Sequence, residues 1–256
     1  MNSPKEIALS YIAVAKGKTA QPWWKTLLLG IMAGMFISLG GMIAISASCH
    51  KTGVESAIIK GLVFPMGLIL VVLCGSELFT GNCLLFAPVL SKDISAKGML
   101  KNLAFTYLGN IVGSVVVALL VVYSGNLSSA AVDMTVAIAN SKSAMSFGEV
   151  VIRGILCNIL VCIAVWASMA GKTPASKILG LYLPIFAFVV LGYEHCVANM
   201  YYFSAGIFAS AKYGVASTMT ASGVLVNNML AATLGNMIGG MGFVALPYWA
   251  VFLKNK

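Results

Sequence analysis

The chain has 256 residues, of which 60% are hydrophobic and 9% charged, with a net charge of +9. A soluble domain carries about 25% charged residues, so this composition excludes a soluble globule and indicates a polytopic membrane protein. The lysine excess reads as the basic flank of membrane spans, not as a nucleic-acid surface.

The apolar runs are continuous and do not alternate, which indicates helices and not a barrel. The length suits roughly six spans of about 20 residues in a single domain. Residues 1–25 are polar and lysine-bearing and end in Trp23 and Trp24. They are expected to lie at the interface as a cytoplasmic segment, with no cleavable signal. A first helix is expected over 26–47, where Gly30, Ala33, Gly34, Gly40 and Gly41 give a small-residue face. A second is expected to run unbroken over 56–74, break at 75–82 and resume over 83–90. A basic loop over 91–101, a third helix over 102–123 and a polar linker over 124–147 follow. The fourth helix is expected over 148–170, with a tight turn over 171–177. The fifth starts near 178, breaks at 192–199 and resumes over 200–210. After a loop over 211–222, the sixth fills 223–253.

Of the 16 Lys and Arg residues, only Lys51, Lys60, Lys142, Arg153 and Lys212 fall on the far side of these spans. The positive-inside rule then puts both termini in the cytoplasm, in a cell membrane.

The two breaks resemble each other. Gly75-Ser-Glu-Leu-Phe-Thr-Gly-Asn-Cys-Leu-Leu-Phe86 and Gly192-Tyr-Glu-His-Cys-Val-Ala-Asn-Met-Tyr-Tyr-Phe203 share G-x-E-x-x-x-x-N-x-x-x-F. Gly75, Glu77 and Asn82 thereby pair with Gly192, Glu194 and Asn199, at one offset of 117 residues (75 to 192). Leu108-Gly-Asn-Ile-Val-Gly113 recurs as Leu234-Gly-Asn-Met-Ile-Gly239. Duplicated halves over 26–123 and 148–253, separated by an odd number of crossings, imply an inverted three-plus-three repeat with helices 2 and 5 broken. Irregular backbone at membrane depth survives only where it is buried or lines a cavity, so the breaks point to a pathway through the protomer.

A charge at the bilayer centre costs about 2.5–3.5 kcal/mol on insertion scales. Glu77 and Glu194 are read as braces that accept hydrogen bonds from free N–H groups of the broken helices, with proton relay as the alternative. His195 is the one group at the breaks that titrates near neutral pH. It is read as a donor facing the permeant, against the plainer reading of a buried neutral histidine. His50 is read as surface. The six cysteines lack CxxC spacing and are read as small packing residues. No cofactor, metal or nucleophile pattern marks the chain as an enzyme. Phe64, Leu68, Leu78, Phe79, Val161 and Phe188 surround the breaks, as core filler or as a hydrophobic constriction that excludes bare ions.

The run Glu194-His195-Cys196-Val197-Ala198-Asn199-Met200, with Leu78-Phe79-Thr80 and Leu234-Gly-Asn-Met-Ile-Gly-Gly240, resembles the formate/nitrite transporter family over nearly the whole chain. That resemblance implies an aquaporin-like six-helix protomer, a homopentamer, and one pore per protomer for small monovalent anions: formate, nitrite or hydrosulfide. It matches Thr80 to the family's threonine after the first break and His195 to its central histidine. Glu194 is matched to the acidic neighbour, Asn158 to a pore-lining asparagine, and Lys142 to a lysine at the outer mouth. Glu77, Tyr193 and Cys196 stand where formate-type members often carry Asp, Phe and Ser. Within the family the chain looks most like the hydrosulfide channels.

On this reading Lys142 outside and Lys16 or Lys18 inside concentrate the anion, and the neutral acid crosses the apolar ring beside His195, Thr80 and Asn158. An aquaporin-class solute pore shares the architecture. Its paired Asn-Pro-Ala signature is absent here, because Cys83 follows Asn82 and Met200 follows Asn199.

Overall fold

A computed structural model describes residues 1–255. These form helices and turns, with no strand among the described residues. Helix α1 spans Pro4–Ala20, α2 Trp23–Ser48, α3 Gly53–Val63 and α4 Met66–Leu73. A short apolar helix, α5, spans Phe79–Leu90. Then come α6 Ala96–Tyr123, α7 Ser129–Ser143, α8 Phe147–Ser168, α9 Pro174–Val190 and α10 Cys196–Tyr213. The final helix, α11, spans Gly223–Phe252 and contains two wide π-type stretches, one on each side of Asn236. Five segments are long and apolar enough to cross a membrane: α2, the α3–α4 run, α6, α8 and α11.

Several boundaries differ from the sequence expectation. The N-terminal segment is a helix, started by a Ser3–Glu6 capping box and a proline in the first turn. The backbone N–H of Ser3 donates to Glu6 and holds that carboxyl below its ordinary range. Ile7, Ala8, Tyr11, Ile12 and Ala15 of α1 are buried, and Asn2 donates to the carbonyl of Met169. Helix 2 is not unbroken. A tight turn at Phe64 and Pro65 separates α3 from α4, with the N–H of Gly67 reaching back to the Phe64 carbonyl. Pro65 has no N–H to continue the ladder, and a uniformly apolar run hides such a turn from hydropathy. The expected linker over 124–147 contains α7, which Ser128 caps. Its alternation of small apolar and polar residues reads as loop until Ala131, Val132, Thr135, Val136 and Ala139 are seen buried. Helix α6 starts at Ala96, earlier than the expected 102, and α10 runs past both of its expected ends. The re-entrant helices resume early, at Phe79 and Cys196, so Asn82 and Asn199 belong to first turns and not to the breaks.

Two glycine-lined crossings hold the helices together. In α2 against α6, a Cβ on Gly34 would lie 2.3 Å from the carbonyl oxygen of Asn110, and one on Gly113 would lie 2.0 Å from that of Ile31. In α8 against α11, a Cβ on Gly235 would lie 2.4 Å from the Val151 carbonyl oxygen, and one on Gly239 would lie 2.3 Å from that of Ile155. The second echo of the sequence is therefore a packing motif, in which missing side chains let two backbones touch. Gly113→Ala is expected to force α2 and α6 apart and to lower the melting temperature in detergent, since overpacking costs about 1–3 kcal/mol. An unchanged melting temperature would show that the crossing has slack.

Candidate functional site

Each broken helix ends in the same way. Gly75 closes α4 at φ 75° and Gly192 closes α9 at φ 67°, the left-handed conformation that glycine adopts without a steric penalty. The N–H of Ser76 then returns to Val71, and that of Tyr193 to Phe188, completing a Schellman-type stop. After three non-helical residues in each half, 76–78 and 193–195, the chain re-enters a helix. Asn110 and Asn236 stabilise that re-entry. The N–H of Phe79 donates to Asn110 Oδ1 at 3.0 Å, and the N–H of Cys196 to Asn236 Oδ1 at 2.9 Å. The same two amides donate to the carbonyls of Glu77 and Glu194, at 3.0 and 2.9 Å. They also reach Gly30 and Gly154 across the glycine crossings.

The glutamates have another task. Glu77 accepts from Asn82 Nδ2 at 2.5 Å and pairs with Lys18 Nζ at 2.8 Å. Glu194 accepts from Asn199 Nδ2 at 2.7 Å and pairs with Lys142 Nζ at 2.6 Å. Asn102 and Asn228 complete the two clusters by donating to Glu77 and Glu194. Both carboxylates are almost wholly buried. The expected brace is therefore built from asparagines. The helix N–H groups go to amide and imidazole acceptors, while each carboxylate, being acceptor-only, takes amide donors and an ammonium.

His195 precedes α10. Its Nδ1 accepts from the N–H of Ala198 at 3.1 Å, and its Nε2 lies 2.8 Å from Thr80 Oγ1. An acceptor at Nδ1 puts the proton of a neutral imidazole on Nε2. Thr80 Oγ1 then accepts, and its own hydroxyl proton is free for another acceptor. Asn158 Nδ2 donates to the carbonyls of Thr80 and Asn236, at 3.2 and 2.6 Å, leaving its Oδ1 buried without a partner. Thr80, His195 and Asn158 thus meet at one point. The two halves differ there. Position 78, the counterpart of His195 at the 117-residue offset, is Leu, and position 197, the counterpart of Thr80, is Val.

Two cavities approach this point from opposite ends of α2. One, of about 450 Å³, is lined by Lys60, Phe64, Lys142, Phe188, His195 and Tyr202, among others, and reaches Lys51 beyond the end of α2. The other, of about 370 Å³, is lined by Tyr11, Lys18, Leu68, Glu77, Leu78 and Lys177 and others, on the side of α1. Helix α2 has 26 residues, about 39 Å at 1.5 Å per residue, enough to span a bilayer. Of the three buried polar residues Thr80, His195 and Asn158 only His195 lines a cavity, and the side chains packed around them are apolar. Phe64 meets Phe188 edge-on at 5.6 Å, and Phe188 stacks on His195 at 5.8 Å. Leu68 and Leu78 close the other side. Phe79 and Val161 are also buried but line neither cavity, and Phe79 packs on Tyr107. Lys16 lines neither cavity, its ammonium lying 3.8 Å from Asp93, whereas Lys18 does line one.

A helical membrane protein with two facing mouths, an apolar ring and a polar trio at the ring defines a channel-like transporter fold. The formate/nitrite transporter family model matches residues 5–250. A probable formate transporter of Methanothermobacter thermautotrophicus is 38% identical, over 99% of this chain and 98% of its own. Among solved structures, an FNT family ion channel superposes with a TM-score of 0.83 at 30% identity, covering 96% of this chain and 97% of its own. A pentameric formate channel with formate bound gives 0.78 at 30% identity, over 90% and 98%. The chain belongs to the formate/nitrite transporter family; it is a membrane transport protein and not an enzyme.

Proposed function

We propose that this chain is a passive pathway for small monovalent weak-acid anions, which cross the apolar ring as the neutral acid. The observation that carries the reading is the Thr80–His195 hydrogen bond at 2.8 Å, set between two cavities that an otherwise apolar ring separates. An unpaired small anion in a low-dielectric ring faces a Born cost of tens of kcal/mol. Neutralising a carboxylate of pKa ~3.7 at pH 7 costs about 4.5 kcal/mol, at 1.36 per unit, and neutralising hydrosulfide costs close to nothing. Lysines draw the anion into each mouth, and Thr80, with the Nε2–H of His195 behind it, donates to the permeant. The unpartnered Oδ1 of Asn158 accepts from the acid's own proton. The fold neighbour solved as a pentamer supports a homopentamer with one such path in each protomer. The mirrored hydrogen bonds support inverted halves over 26–123 and 148–253, and the lysine distribution supports cytoplasmic termini.

The names of the relatives make formate the first substrate to test, with nitrite and hydrosulfide beside it. The test is a flux panel on reconstituted protein. At fixed total substrate, lowering the pH from about 8 to about 6 multiplies the neutral fraction of formate about a hundredfold and that of hydrosulfide about tenfold. Flux is expected to rise with falling pH for both, more steeply for formate. A flux that stays level or falls as pH falls contradicts neutral crossing, and osmotic water flow without anion flux restores the aquaporin-class reading.

A further inference from the structure

Five lysines line the two cavities; Lys51 is exposed and paired with Glu55, and the other four divide into two kinds. Lys18 and Lys142 are consumed by buried carboxylates, Glu77 and Glu194. Lys60 and Lys177 are not. Each is half-buried, each lines a cavity, and neither ammonium has an ion pair or hydrogen bond among the described residues. Lys60 sits one helical turn before Phe64 on α3. Lys177 sits in the first turn of α9. They are separated by 117 residues (60 to 177), the same offset that relates Glu77 to Glu194 and Gly75 to Gly192. The two free cations therefore occupy equivalent places in the two halves, and nothing in the sequence motifs singles them out.

Their surroundings leave the charge uncompensated. Beside Lys60, Lys142 is paired with Glu194 and Lys51 with Glu55, and on the cavity rim Arg153 is paired with Glu149. Exposed Asp133 shares with Lys60 the shallower space next to the cavity but makes no ion pair with it. Beside Lys177, Lys18 is paired with Glu77, and Tyr11 and Ser168 are neutral. A half-desolvated ammonium without a counter-ion, placed in a cleft with low-dielectric walls, concentrates anions from solution. The paired lysines present almost no net charge.

We propose that Lys60 and Lys177 form two anion-capture sites, one in each mouth, that hold a small monovalent anion as their counter-ion before it reaches the ring. This inference rests on the channel reading above and names the residues that load the channel. In a passive pathway, capture at one mouth sets the substrate concentration at which that mouth saturates. Microscopic reversibility keeps permeability at limiting substrate equal in the two directions.

The test is the concentration dependence of formate flux in proteoliposomes of the full chain, at low and high ionic strength. Removing one cation from a cavity weakens capture about three- to tenfold. The double variant Lys60→Met, Lys177→Met is expected to raise the half-saturating formate concentration by that factor at low salt, with the effect on half-saturation and not on maximal flux. Lys60→Arg with Lys177→Arg is expected to restore tight capture. High salt is expected to bring the wild type to the double variant's value, because screening shortens the Debye length from about 30 Å at 0.01 M to about 3 Å at 1 M. A double variant with wild-type half-saturation overturns the proposal, as does a loss confined to maximal flux. A wild-type half-saturation that ignores salt does the same without needing any variant to fold. Wild-type protein that carries none of the three anions overturns the channel reading itself, and this inference with it.

Discussion

Lys142→Met is expected to destabilise the protein more than any other single change in the cavity that His195 lines. Its ammonium lies 2.6 Å from Glu194 Oε1, and Glu194 is 1% exposed. Removing one partner of a buried pair leaves a charge without compensation, which costs about 3–5 kcal/mol. Because Lys142 is itself partly exposed, the low end of that range is expected. Asn199 and Asn228 still donate to Glu194, so the carboxylate keeps two of its partners. The second substitution Glu194→Gln is expected to recover most of the loss, since a neutral amide oxygen still accepts from both asparagines. Thermal unfolding in detergent of the single and double variants measures this directly. A Lys142→Met protein that melts like the wild type would mean that water or another cation serves Glu194.

His195→Phe is expected to have the largest effect on flux, a loss of tenfold or more. The substitution removes the Nε2–H that donates to Thr80, and proton donation by a positioned side chain is commonly worth 10²–10⁴-fold. It also removes the acceptor for the N–H of Ala198, a cap worth about 1 kcal/mol to α10. Some loss of stability therefore accompanies the loss of flux. Thr80→Val keeps the cap on Ala198 and deletes only the hydroxyl. It is expected to lower flux and, because the buried Nε2–H of His195 loses its acceptor, to cost about 1–3 kcal/mol of stability. If the flux and pH profile of His195→Phe match the wild type, the imidazole is only a cap.

The scaffold was legible because it depends on repeated, strong signals. Continuous apolar runs gave the helices, and polar interruptions inside them gave the breaks. The shared G-x-E-x-x-x-x-N pattern located both Schellman stops and both carboxylate clusters. What escaped was decided by contacts between distant segments. Asn110 and Asn236 were in plain view within the Leu-Gly-Asn echo, yet only the folded crossing shows that they hold the re-entrant helices. Asn102 and Asn228 lie outside any motif, and their pairing with the glutamates needs the tertiary structure. Helix α7 was hidden because its buried face is made of small residues and its hydropathy is low. The turn at Phe64 and Pro65 was signalled by the proline alone. Lys18 and Lys142 read as free charges in the sequence because their carboxylate partners are 59 and 52 residues away (18 to 77, 142 to 194). Lys60 and Lys177 looked no different from the paired lysines for the same reason. The proposed trio is a departure from the repeat, with His195 against Leu78 and Thr80 against Val197, so a search for similarity between halves passes over it.

Neutral passage through the ring is the central claim, and membrane potential tests it most directly. A charge moved through the full field gains about 2.3 kcal/mol per 100 mV, which is about a fiftyfold change in rate. Formate flux into proteoliposomes is measured with and without a potassium diffusion potential of about 100 mV, with pH equal on both sides. The neutral acid carries no charge through the ring, so the rate is expected to stay constant and protons to enter one for one with formate. A rate that follows the potential, without proton uptake, would mean that the bare anion crosses.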